Sequence, residues 1–74
     1  MADFHLDCKG LQCPKPIIQI SRQMAGMHAG QTLRVEATDP AFRPDLTAWL
    51  TMRGEKLVEL DTSGPFSFAV LEKS

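Results

Sequence analysis

Two cysteines and the residues around them carry the chemistry this chain can offer. They lie in one segment, Asp7-Cys8-Lys9-Gly10-Leu11-Gln12-Cys13-Pro14-Lys15-Pro16. A thiol becomes a nucleophile only as its thiolate, and an electropositive setting or a helix N-terminus favours that form. Proline is well placed at the first helical position, so Pro14 opening a helix makes Cys13 its N-cap. The sulfur then sits where backbone N–H groups lack helical partners and the helix dipole is positive. Pro14 and Pro16 each remove one of those donors, which leaves the Lys15 amide as the expected donor to the sulfur. On this register the pKa of Cys13 should fall, helped by Lys9 and Lys15. The opposing possibility is a small hydrophobe buried in a strand-to-helix turn, as free cysteines often are. The flanking prolines and lysines favour an exposed, reactive Cys13. Cys8 continues the apolar face of Phe4 and Leu6 and reads as core. A resolving thiol that pairs with Cys13 is its other reading.

The elements that position these thiols follow from periodicity. Residues 4–8 alternate as a half-buried strand, which Gly10 ends. Ile17, Ile20, Met24 and Met27 share one helical face, and that helix should end near His28, before Gly30. In a second strand over residues 32–38, Leu33, Val35 and Ala37 point inward. Thr38-Asp39-Pro40 breaks it. Pro44 would clash inside a helix that started at Pro40, so a helix from Pro44 to about Arg53 is expected, with Gly54 as its stop. Leu46, Trp49, Leu50 and the stem of Arg53 form its buried face. Residues 56–61 and 66–72 read as a hairpin joined through Ser63-Gly64-Pro65. The fold class is therefore α/β: a two-layer βαβαββ sandwich, with a four-stranded mixed sheet and both helices on one face. Its first strand–helix–strand unit should be a right-handed crossover with parallel strands.

The composition narrows the function classes. Seventy-four residues with 43% hydrophobic and 23% charged types predict one small globular domain spanning residues 1–74. Eight basic against nine acidic residues leave a net charge of −1, which argues against a polyanion binder and direct nucleic-acid binding. The chain is too short for a deep substrate pocket with independent turnover. His5 and His28 have no paired partner, and no metal-ligand spacing is present, so neither a metal nor a cofactor is expected. Met24 and Met27 read as core filling. The N-terminus lacks the basic start and apolar run of a signal peptide, and no run is long enough to span a bilayer. This predicts a cytoplasmic protein with reduced thiols.

Beyond these local readings, Asp7 followed by Gly10-Leu11-x-Cys13-Pro14-x-Pro16 resembles the signature of the TusA (SirA-like) sulfur carrier family. Gly30-Gln31-x-Leu33-x-Val35-x-Ala37-Thr38-Asp39-Pro40 resembles that family's second strand and Asp-Pro turn. Asp45-Leu46, Trp49 and Gly54 fall at its spacing, and the similarity runs from about residue 5 to 73. The resemblance implies the same βαβαββ sandwich and a persulfide carried on Cys13. It implies loading by a cysteine desulfurase or rhodanese-type donor. Passage to a DsrE-like relay protein follows, serving tRNA thiolation or dissimilatory sulfur oxidation. A monomer without a cofactor suffices for such a role. The chain departs from the pattern at Phe42, where a small or polar residue is expected, and at Pro44, where no proline is. Lys9, Lys15, Pro14, Pro16, Arg43 and Asp45 are the candidate thiolate-stabilising or partner-binding residues. Asp39 is read as capping the turn that follows it, with a partner contact as the alternative. The rival to a carrier is a dithiol redox or regulatory interaction module using Cys8 and Cys13.

Overall fold

The computed structural model describes residues 2–74. Its elements are β1 (Phe4–Cys8), α1 (Lys15–Ala25), β2 (Thr32–Ala37), α2 (Phe42–Arg53), β3 (Lys56–Asp61) and β4 (Ser67–Glu72). The sheet order is β1-β2-β4-β3. β1 and β2 are parallel, in a register that pairs Phe4 with Leu33 and Cys8 with Ala37. β4 is antiparallel to both β2 and β3. This is the expected mixed sheet, with two helices packed on one face.

The core forms where the two layers meet. Leu33, Val35, Ala37, Ala69, Leu71 and Cys8 of the sheet join Ile20, Met24, Phe42, Leu46, Trp49 and Leu50 of the helices in one buried cluster. Full burial of each large apolar side chain contributes about 1.5–3 kcal/mol. Met24 and Met27 are both buried, as core filling requires. Arg53 is exposed, with its guanidinium 5.9 Å from the centre of the Trp49 ring, and does not join the buried face expected of it.

Three helix boundaries differ from the sequence reading. α1 starts at Lys15, with Pro14 in the capping position, one residue later than expected. It also ends early, at Ala25. The Gly26 and Met27 amides bond three residues back, to Gln23 and Met24, and this tightens the chain out of the helix. α2 starts at Phe42 rather than Pro44. Pro44 is then the third helical residue, and the carbonyl four positions back belongs to Pro40, outside the helix. The clash that argued for a later start does not arise. β3 contains an irregularity between Leu57 and Glu59 that leaves Val58 unpaired. This extra residue places Leu57 and Leu60, three apart in sequence, on the same inner face opposite Leu71 and Ala69. Gly54, at φ +71°, ends α2 by donating its N–H to the Leu50 carbonyl.

Candidate functional site

β1 and β2 run parallel, so their carboxyl ends emerge together. In open α/β sheets this edge is where ligands and reactive groups collect. The loop after β1 carries Cys13, and the loop after β2 carries Thr38 and Asp39. Side chains of the second loop grip the backbone of the first. The Gly10 N–H donates to Thr38 Oγ1 at 2.9 Å, and the Cys13 N–H donates to Asp39 Oδ2 at 2.8 Å. Asp39 Oδ1 accepts from the Ala41 N–H at 3.2 Å, which fulfils the capping expected of it. One carboxylate therefore joins the Cys13 loop to the start of α2. Gly10 turns at φ +84°, a conformation that suits glycine.

Cys13 is exposed and Cys8 is buried. Cys13 lines an open cleft of about 480 Å³ with Gly10, Leu11, Gln12, Thr38, Asp39 and Pro40. Pro16 is buried and Pro14 is exposed, so the proline frame anchors through Pro16 only. The Cys13–Pro14 peptide bond is cis. Cys8 is 0% exposed, and burial, with the charge of Asp7, pushes its thiol pKa up. It is a core side chain that continues the apolar face of β1.

The electrostatics of Cys13 reverse the expectation of a lowered pKa. A hydrogen bond to the Asp45 carboxylate raises it, and partial desolvation and the charges of Asp45 and Asp39 act in the same direction. The reason is positional. α1 begins two residues beyond Cys13, and Pro14 and Pro16 have no N–H to offer. The Lys15 amide, expected to face the sulfur, instead donates to the Gln12 carbonyl at 2.8 Å. The positive end of α1 is thus weakly presented to the thiol. α2 meanwhile delivers Asp45 from its first turn. Sγ of Cys13 and carboxylate oxygens of Asp39 and Asp45 all lie within 4.8 Å of one another.

The predicted cations sit elsewhere. Lys9 Nζ is 2.7 Å from Glu36 Oε1 and 3.5 Å from Asp7 Oδ1, and it lies over the Phe66 ring. Its charge is spent on those partners rather than on Cys13. Lys15 is exposed in the first turn of α1. Arg43 lines a neighbouring cleft with Asp39, Pro40 and Phe66. Phe42, the first departure from the family pattern, is 1% exposed and belongs to the core rather than to a partner-facing loop. The grip of Thr38 and Asp39 on the Cys13 loop lies outside the sequence reading. Its one sequence signal is that both residues follow β2 directly, beside the end of β1.

Comparison with known proteins follows the same lines. The family model described as Sulfurtransferase TusA matches residues 5–72. The putative sulfur carrier protein YrkI of Bacillus subtilis is 43% identical over 63 residues, covering 85% of this chain and 84% of that protein. The sulfur carrier protein TusA of Allochromatium vinosum is 40% identical over 73 residues, covering 95% of this chain and 96% of that protein. A putative sulfur carrier protein of Aquifex aeolicus is 35% identical over 72 residues, and the match spans only 36% of its length. The crystal structure of a SirA-like protein from Desulfitobacterium hafniense has the same fold. Its TM-score is 0.80 at 20% identity, with 93% of this chain and 95% of that one covered.

Proposed function

This chain belongs to the TusA sulfurtransferase family of sulfur carriers, and we propose that it carries sulfane sulfur as a persulfide on Cys13. The observation that supports this reading most directly is the exposure of Cys13 on a loop pinned by Asp39, beside a buried and inert Cys8. A carrier must present one sulfur atom to two proteins in turn. An open cleft suits that exchange better than an enclosed pocket.

In the loading step the Cys13 thiolate attacks the outer sulfur of a donor persulfide. The donor S–S bond breaks, the donor cysteine leaves as a thiolate, and Cys13 keeps the transferred sulfur. Unloading is the same displacement with an acceptor cysteine as the nucleophile. No external oxidant enters either step. A cysteine desulfurase or rhodanese-type protein is the proposed donor, and a DsrE-like relay protein is the proposed acceptor. The onward routes are tRNA thiolation or sulfur oxidation. The chain works as one carrier domain in the reducing cytoplasm, where both thiols stay free. Pro14 and Pro16 shape the loop, and Lys15 and Arg43 steer the partner from the rim. Among the described residues, no helix is long and apolar enough to cross a membrane.

Incubation with a cysteine desulfurase and cysteine, followed by intact mass measurement, tests the reading. The expected result is a gain of one sulfur atom that reducing agent removes. Cys8→Ser keeps the gain and Cys13→Ala loses it. No gain, or an equal gain on Cys13→Ala, overturns the reading.

A further inference from the structure

We infer that Asp45 is a specificity-determining positioning residue: its carboxylate holds the resting Cys13 thiol and admits partners that bring positive charge to the Cys13–Asp39–Asp45 cluster. The inference rests on the carrier reading but is tested apart from it.

Asp45 arrives from α2, Asp39 from the loop after β2 and Cys13 from the loop after β1, and their ligating atoms converge within 4.8 Å. Asp39 is already committed, since its two oxygens accept the Cys13 and Ala41 amides. Asp45 has no such backbone partner for its carboxylate among the described residues, and that carboxylate lies within 4.8 Å of the Cys13 sulfur. Its own amide is satisfied by the Ala41 carbonyl at 3.1 Å, so its place in the helix does not depend on the thiol. Among the described residues no cation forms an ion pair with either carboxylate: Lys9 is held by Glu36 and Asp7, and Lys15 and Arg43 are exposed.

Two consequences follow for the thiol. The Asp45 carboxylate accepts a hydrogen bond from S–H but repels S⁻, so the neutral thiol is the resting form. Cys13 is exposed and Asp39 and Asp45 are half-buried, so the cluster is reachable from outside. A partner that places a lysine or arginine against Asp45 cancels the repulsion and releases the thiolate where the transferable sulfur arrives. A donor with an acidic surface at that point meets two like charges and is rejected. The gate therefore protects the thiol from stray electrophiles until a suitable partner docks.

Small disulfides test this without any sulfur carriage. The Cys13 thiolate attacks one sulfur of the probe, the probe S–S bond breaks, and the departing thiolate takes up the proton that Cys13 released. Rates are measured with cystamine, which carries two positive charges, and with dithiodipropionate, which carries two negative charges, at low salt. The ratio of the two rates in a variant, divided by the same ratio in the parent, cancels the intrinsic reactivity of the probes. Asp45→Asn should reduce the cystamine preference by about twentyfold, because removing one unit charge about 4–5 Å away in a watery dielectric slows the cationic probe about fivefold and speeds the anionic one by as much. The difference should shrink with added salt.

Iodoacetamide alkylation of Cys13 against pH gives the second readout. Asp45→Asn should move the alkylation midpoint to lower pH, because a like charge that opposed the thiolate has gone. Asp45→Glu, which keeps the charge, should stay near the parent in both assays. An unchanged probe ratio and midpoint in Asp45→Asn overturn the inference. Slower alkylation of Asp45→Asn also overturns it, since Asp45 would then be assisting deprotonation. A failure of sulfur loading with these two readouts intact overturns the carrier reading alone.

Discussion

Replacing Asp39 by alanine removes a carboxylate that ties the Cys13 loop to the start of α2. Two hydrogen bonds disappear, from the Cys13 N–H at 2.8 Å and from the Ala41 N–H at 3.2 Å. Bonds to a charged acceptor contribute about 1.5–3 kcal/mol each, and partial exposure of this carboxylate reduces that to about 1 kcal/mol each. The expected loss is about 2 kcal/mol, in line with the upper range for losing a helix cap. In a chain of this size about 1 kcal/mol shifts the melting temperature by about 4–8 °C, so Asp39→Ala should melt about 8–16 °C below the parent. Asp39→Asn keeps one acceptor oxygen and should fall about halfway between. Thermal unfolding followed by Trp49 fluorescence or circular dichroism measures the shift. Amide hydrogen exchange supplies the local test, because the Cys13 and Ala41 amides should exchange faster in Asp39→Ala than in the parent. A melting point within about 2 °C of the parent refutes the clamp. So does unchanged exchange at Cys13.

Other consequences can be checked with the same material. Phe42→Ala should cost about 3–5 kcal/mol by opening a cavity under α2, a large share of the stability of a small domain, read from denaturant unfolding. Native iodoacetamide should label Cys13 and leave Cys8 at least about tenfold slower, with both reacting once the chain is unfolded; a mass spectrum of the labelled protein counts them. Glu55 gives an acid-sensitive contact. Burial raises its pKa, but the Ser74 N–H at 2.9 Å and Lys73 Nζ at 3.2 Å outweigh it and leave the folded value below the ordinary 4.5. Its stabilisation is therefore present above the ordinary pKa and lost as pH falls through the folded one. Glu55→Gln should flatten the acid side of a melting-temperature profile, with little extra loss on acidification.

Much of this molecule was legible from residue order because periodicity and chain breakers act locally. β1 and β3 fall on the expected residues, and β2 and β4 within one. The alternation of Leu33, Val35 and Ala37 was enough to identify the inner face of β2, since neighbouring strand residues must point to opposite sides. The glycine stop of α2 follows from the left-handed turn that Gly54 adopts. Errors came where a local rule met a shifted register. Local rules place proline at the first position of each helix, yet Pro14 precedes α1 and Pro44 follows two residues of α2. A proline anywhere in the first turn lacks only an amide that has no helical acceptor, so the residue type does not choose among those positions.

The sequence by itself determined that an exposed, proline-framed cysteine follows a half-buried strand, and that Cys8 belongs to the apolar face of that strand. Its motif also carried the likeness to a sulfur carrier. The sign of the electrostatic effect on Cys13 was decided only by tertiary structure. Lysines near in sequence suggested a stabilised thiolate, but Lys9 reaches across to Glu36 on β2. The groups that act on the sulfur are Asp39 and Asp45, 26 and 32 positions away, counted from Cys13 to each. Electrostatic influence falls off with distance in space, and parallel pairing of β1 with β2 is what brings those carboxylates to the thiol.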